Sequence, residues 1–256
     1  MLILLSPAKT HDFESPLPTR KSSTPRLVDR SAELIDTLVT KSPDDIASMM
    51  SLSRDLAELN VERYHNWEPT FSAQNARPAV LAFKGDVYLG MDVAQYGERD
   101  FTHAQKTVRI LSGLHGVLRP LDLIQPYRLE MGTKLVTERG KNLYDFWGSE
   151  VTELINDDLA ERRSNLVVNL ASNEYYGAVR PEKLDARVVA PSFLDEKNGE
   201  FKMISFFAKR ARGLMTRYLI TNKVTKADGI TDFDLDGYSY NEELSTTTEP
   251  VFTRKA

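Results

Sequence analysis

The chain contains no cysteine. That excludes disulfides, thiol catalysis and cysteine-based zinc sites, and it suits a reducing compartment. Histidine is scarce too. His11, His65, His103 and His115 stand far apart with no HExxH-like spacing, so no metal site and no cofactor are expected. No apolar run approaches the roughly 20 residues a membrane span needs. The apolar start, Met1-Leu2-Ile3-Leu4-Leu5, is too short for a signal segment and has no basic region before it. These absences point to a cytoplasmic protein that makes no membrane contact. Internal repeats, low-complexity tracts and a clear interdomain linker are also missing. One domain spanning residues 1–256 is expected.

What is present is ordinary in bulk. The 256 residues are 41% hydrophobic and 27% charged, enough for a sizeable core, with a net charge of −4. A mildly acidic chain is not a nucleic-acid binder by overall charge, so local charge decides. Residues 1–10 read as a buried strand followed by a loop, and 11–25 as an irregular excursion. Residues 26–66 read as two or three helices, with Ser42 and Ser53 as N-terminal caps. A short strand is predicted over Pro78–Phe83 and helices over Glu98–Ser112, Leu143–Ala160 and Phe206–Asn222. Leu166–Leu170 reads as a buried strand. Asn198-Gly199 sits between two strand-like runs and signals a hairpin. A second hairpin is predicted near the end of the chain. Strands and helices alternate without a regular βαβ rhythm. The fold class is therefore mixed α/β (α+β), a single domain with a β core surrounded by helices.

Two stretches gather positive charge. In the first, residues 103–132, Ala104, Val108, Leu111 and Leu114 recur at helical steps. Ser112-Gly113 ends that helix, Leu114-His115-Gly116-Val117 makes a tight turn, and Pro120 opens a second helix. Backbone N–H groups gathered at such a turn bind phosphate. Lys106, Arg109, Arg119, Arg128 and, two residues beyond the stretch, Lys134 surround the turn against Asp122 and Glu130, five minus two, or +3. The pattern resembles the helix-hairpin-helix motif of sequence-nonspecific DNA-binding proteins. Two residues, Leu114 and His115, separate its glycines where that motif usually has one. The alternative is a helical corner buried in the core.

In the second stretch, residues 201–226, Lys202, Lys209, Arg210, Arg212, Arg217, Lys223 and Lys226 occur with no acid. On a helical wheel Phe207, Ala211, Leu214, Met215, Tyr218 and Leu219 form the core stripe, and Lys209, Arg210, Arg212 and Arg217 the opposite arc. Gly213 lies within that arc. A glycine there costs roughly 1 kcal/mol relative to alanine. Close approach of a nucleic-acid backbone and tight helix packing are both adequate reasons for it. Residues 228–249 carry seven acids and no Lys or Arg. They either fold over the basic helix or face away from it.

A third constellation comes directly after the first strand. Ser6 and Lys9 form a candidate nucleophile–base pair, or Lys9 binds phosphate. Asn169, Ser172 and Glu130 are candidates for the same cleft, since loops at strand ends gather functional groups in α/β proteins.

Several blocks together resemble the YaaA family of bacterial peroxide-stress-response proteins. They are MLILLSPAKT at 1–10, LAFKGDVYLG at 81–90, LSGLHGVLRPLDLIQPYRLEMG at 111–132, LYDFWG at 143–148, NLASNEY at 169–175 and FLDEKNGEFKMISFFAKRARGLMTRY at 193–218. The resemblance implies a cytoplasmic protein that limits free iron and DNA damage under hydrogen peroxide. It also implies a β core with a helical rind that binds double-stranded DNA without sequence preference, through a helix-hairpin-helix beside a positive cleft. Gly113, Gly116 and Arg119 carry over by position as the hairpin. Ser6, Lys9, Lys209, Arg210 and Arg212 match family blocks without an assigned role. The expected phosphate-binding set is Gly113, His115, Gly116, Arg119, Arg128, Lys209, Arg210, Arg212 and Arg217. The alternative is an enzyme acting on a small phosphorylated or nucleotide-like ligand near Ser6, Lys9, Glu130 and Asn169.

Overall fold

The apolar start of the chain forms β1 (Leu2–Leu5), the middle strand of a five-stranded sheet. A computed structural model describes residues 1–255. After β1 come β2 (Thr10–His11), α1 (Val28–Leu38), α2 (Pro43–Met50), α3 (Arg54–His65), β3 (Arg77–Pro78) and α4 (Ala79–Ala82). Next are β4 (Phe83–Lys84), α5 (Asp86–Met91), α6 (Glu98–Thr107), β5 (Val108–Ser112), β6 (Gly116–Leu118) and β7 (Leu123–Ile124). Then come α7 (Leu143–Trp147), α8 (Glu150–Glu161), β8 (Leu166–Asn169), α9 (Asn173–Tyr176) and β9 (Arg187–Val189). The chain closes with β10 (Ser192–Lys197), β11 (Glu200–Lys202), α10 (Ser205–Thr221), β12 (Ser239–Asn241) and β13 (Val251–Arg254). The fold class is mixed α/β.

The central sheet runs β6-β5-β1-β8-β9. β5, β1, β8 and β9 are parallel, and β6 is antiparallel to β5. Every residue of β1 and β5 is buried. Successive strand side chains point to opposite faces, so both faces of the sheet are covered. A second sheet runs β11-β10-β13-β12. Its turn residues Asn198 and Gly199 both have positive φ, 58° and 79°, as a two-residue hairpin requires. Phe193, Phe233, Tyr238 and Phe252 pack ring against ring on this sheet. One cluster of buried apolar side chains joins both sheets, from Leu2 and Val168 to Phe193 and Phe252. The expected caps form. Ser42 Oγ accepts from Asp45 N–H at 3.2 Å, and the Asp45 carboxylate accepts from Ser42 N–H at 2.9 Å.

Three expectations need correction. Residues 78–83 are not one strand: Ala79–Ala82 form a helical turn between the two-residue strands β3 and β4. The C=O groups of Asp122 and Pro120 accept from the N–H groups of Ala79 and Val80 at 2.8 and 2.9 Å, so a loop satisfies that backbone. The predicted helix at 143–160 breaks at Gly148, where φ is +52°, into α7 and α8. The predicted helix at 98–112 stops at Thr107, and 108–112 is the strand β5. A short apolar run fits either period. Here the β-branched Val108 and Ile110 pair in register with Ile3 and Leu5 of β1. A tight turn then carries the chain from β5 into β6, so residues 103–132 hold a β-hairpin and not a helix-hairpin-helix.

Candidate functional site

β1 and β8 are neighbours, but the chain leaves them in opposite directions. β1 leads on to β5 at one side, and β8 leads to β9 at the other. A crevice opens beyond the carboxyl ends of strands at such a point. Ser6 comes after β1 there, and Ser172 comes after β8. Ser6 Oγ accepts from Ser172 N–H at 2.9 Å and lies 3.3 Å from Ser172 Oγ. The Tyr88 hydroxyl donates to the Ser6 C=O at 3.0 Å. All three residues line a cavity of ≈ 730 Å³.

Its charged lining comes from separate elements. α10 contributes Lys209 and Arg212, the loop after β1 contributes Lys9, and the β4–α5 junction contributes Lys84 and Asp86. Asn173 opens α9 beside the cavity, and Met203, just before α10, also lines it. Arg212 is half-buried, and burial lowers the pKa of its guanidinium. Among the described residues, no carboxylate lies within 4.0 Å of the charged groups of Lys209, Arg210 or Arg212. Cations held near low-dielectric walls without counterions attract anions strongly.

Main-chain contact fixes this wall. A Cβ on Gly213 would lie 1.9 Å from the Val87 carbonyl oxygen, and one on Gly90 would lie 2.2 Å from that of Arg210. α10 and α5 therefore touch backbone to backbone. Tight helix packing accounts for Gly213. The acidic segment packs against α10 without bringing a carboxylate within 4.0 Å of Lys209, Arg210 or Arg212. Asp236 pairs with Arg254 at 2.7 Å, and the Tyr218 hydroxyl donates to the Gly229 C=O at 3.0 Å. Phe207 departs from its expected core position. It is partly exposed, with the Arg254 guanidinium 4.7 Å from its ring centroid. Arg217 pairs with Asp92 at 3.4 Å, whereas Arg210 remains exposed on α10.

The candidates of the first basic stretch are placed quite differently. Gly113, His115 and Gly116 are buried. The Trp147 indole N–H donates to the Gly113 C=O at 3.0 Å, and a Cβ on Gly113 would strike the Leu129 carbonyl oxygen at 2.2 Å. A Cβ on Gly116, where φ is +64°, would meet the Trp147 ring at 2.8 Å. His115 Nδ1 shares a hydrogen bond of 2.9 Å with Ser31 Oγ, and burial lowers its pKa to about 3. This turn presents no backbone N–H cradle to a phosphate. Arg119 binds the buried Asp122 at 2.9 Å, and Arg128 binds Glu130 at 2.9 Å. Arg109 is buried against Asp158, which also takes Arg26 in two bonds of 2.9 Å. Two short helices joined by three residues do occur, at α2 and α3. Residues 41–65 carry five acids against three Lys and Arg, so that pair sets up no positive field.

Of the alternative catalytic set, Ser6 and Lys9 reach the cavity without bonding to each other. Lys9 Nζ instead meets Glu130 at 2.6 Å. Burial pushes the Glu130 carboxyl up, but hydrogen bonds from Lys9 and Arg128 outweigh it and hold the pKa below the usual range. Asn169 Oδ1 accepts from Ala171 N–H at 3.0 Å and shapes the strand end. The cavity thus joins Ser6, Lys9, Lys209 and Arg212, while Glu130 reaches it only through Lys9.

The residues that converge here belong to the sequence blocks at 1–10, 81–90, 169–175 and 193–218. A family model described as peroxide stress protein YaaA matches residues 1–244. The chain belongs to this family. The match runs from β1 through β12 and takes in every cleft residue named above. Family membership makes the chain a peroxide stress protein. Lys84, Asp86, Asn173 and Met203 escaped the sequence reading. Nothing local in the sequence ties Lys84 and Asp86 to α10. Among the described residues, no helix is long and apolar enough to cross a membrane, and no group of three or more His, Cys, Asp or Glu is placed to hold a metal.

Proposed function

We propose that this peroxide stress protein works in the cytoplasm, as one domain, by binding double-stranded DNA without base specificity, and so helps limit DNA damage and free iron. The carrying observation is the α10 arc. Lys209, Arg210 and Arg212 have no counterion within 4.0 Å among the described residues, and two of them open onto the cleft. Phosphate contacts of this kind supply sequence-independent affinity and make it salt-dependent. On this reading the hairpin at 108–118 supports the fold, and α10 makes the contact. A labelled duplex should shift with the purified protein at low salt and release as salt rises. The double variant Lys209→Ala/Arg210→Ala should lower the slope of log affinity against log salt by about 2, roughly 1 for each phosphate contact. Wild-type affinity that ignores salt would sink the reading. The iron arm is checked separately, by chelatable iron in peroxide-treated cells with and without the chain.

A second reading has its own support. The cavity of ≈ 730 Å³ lies within the range of small-ligand sites and sits at the switch point of the sheet. On that reading the protein takes a small phosphorylated or nucleotide-like ligand between Ser6, Lys9 and α10.

A further inference from the structure

We propose that the cleft holds one unpaired nucleotide unit, with its phosphate on α10 and its base between Met203 and the Asp86/Asn173 side. The inference rests on the reading of the cleft as an anion site and names the ligand class.

Size comes first. A duplex displays a major groove about 12 Å wide and cannot enter a cavity of ≈ 730 Å³, whereas a single nucleotide can. DNA bound across the α10 arc therefore leaves the cleft interior to something smaller.

Charge comes second. A site for a bare phosphate needs donors only. This cleft has Lys209 and Arg212 on the α10 wall, Lys9 and Lys84 on other elements, and the carboxylate acceptors Asp86 and Glu174 elsewhere in its lining. The Asp86 carboxylate and the Asn173 amide make no side-chain hydrogen bond or ion pair among the described residues. They are free to meet a ligand that is anionic at one end and bears N–H or O–H donors at the other. Nucleobases and pentose hydroxyls carry such donors, and an amide with a carboxylate can read a base edge.

Surface comes third. Of seven methionines, Met203 alone is exposed, at 58%, and it lines the cleft. Phe206, exposed at 55%, lies three residues on at the start of α10. Exposed apolar groups beside unpaired cations suit a base over its phosphate. The unit can arrive as a free nucleoside monophosphate or as a nucleotide extruded from a strand. The recognition chemistry is the same for both.

The test has three arms, each read with the full chain. In the first, calorimetry compares the four deoxynucleoside 5′-monophosphates with inorganic phosphate. At least one nucleotide should bind about tenfold more tightly than phosphate, the scale expected for one stacked base. In the second, a duplex with a single bulged 2-aminopurine should brighten on binding, and the fully paired duplex should not. In the third, Met203→Ala and Asn173→Ala, both at exposed positions, should bring nucleotide affinity down to that of phosphate. A gain confined to the first arm assigns the free nucleotide as ligand, and one confined to the second assigns the extruded nucleotide. If neither arm shows a gain, or if both variants keep the full nucleotide preference, the proposal is overturned. A paired duplex that still binds with a salt slope would in that case leave the DNA reading standing. Nucleotide binding without any duplex shift would retire the DNA reading and keep this one.

Discussion

Residues 103–132 and 201–226 are both rich in Lys and Arg, yet the fold treats them in opposite ways. In the first, each arginine has an acid. Arg109 meets Asp158, Arg119 meets Asp122 and Arg128 meets Glu130. In the second, Lys209, Arg210 and Arg212 have none among the described residues. The local charge count of the first stretch, four minus two or +2, therefore overstates its field, because one neutralising acid lies 49 residues away in sequence. Positive charge marks a binding surface only where the fold leaves it uncompensated. Most paired surface charge contributes little.

The comparison breaks most visibly at Asp158. Asp158→Ala would leave Arg109, which is 4% exposed, and Arg26 without a counterion. Loss of one partner from a buried pair costs about 3–5 kcal/mol. Urea unfolding should show a loss of that size. A loss below about 1 kcal/mol would mean that the first stretch is not neutralised as described. Next come the glycines. Gly113→Ala and Gly213→Ala should each cost about 1–3 kcal/mol, because both force a methyl group into a carbonyl. Only Gly213→Ala should also weaken DNA binding, since it displaces the cationic wall.

Acid should separate the stretches further. Burial lowers the pKa of His115 to about 3 and that of His11 to about 4, below the unfolded value near 6.5. The unfolded chain then holds more protons than the folded chain between those values. Stability is full above about pH 6.5 and falls with pH, by about 1.4 kcal/mol per pH unit for each histidine. His115→Gln should remove one histidine's share of the slope between pH 6.5 and 5, measured as unfolding midpoints at each pH. α10 contains no histidine, so this dependence does not arise in the cationic wall. The smallest effect expected is that of Arg119→Ala on DNA. Affinity should stay within about twofold, since Arg119 is spent on Asp122 and adds no phosphate contact. A larger loss would return the first stretch to the binding surface.

Parts of this arrangement were legible in the sequence for definite reasons. Leu2–Leu5 and Leu166–Val168 are continuous apolar runs, as strands buried on both faces must be. Ser42 and Asn198-Gly199 announce themselves by local chemistry. The cations of α10 were visible because no acid interrupts them. Residues 108–112 misled because Val108 and Leu111 suit a helical stripe as well as a strand. The cleft was only half legible. Ser6 and Lys9 could be named from the end of the first strand. Asp86 and Asn173 are brought to them only by the order of β1, β8 and α5 in space, which no window of sequence contains.

The contact between Gly90 and Gly213 has a mechanical corollary. Where helices meet through side chains, a rotamer change can ease them apart by an ångström at small expense. Here carbonyl oxygens meet α-carbons directly, and no rotamer intervenes. The span between α10 and the β4–α5 corner is then a calibrated aperture, set by main-chain thickness. The jaws of such a caliper move only if a whole helix moves, so any guest of the cleft would meet a fixed gauge and not a yielding one.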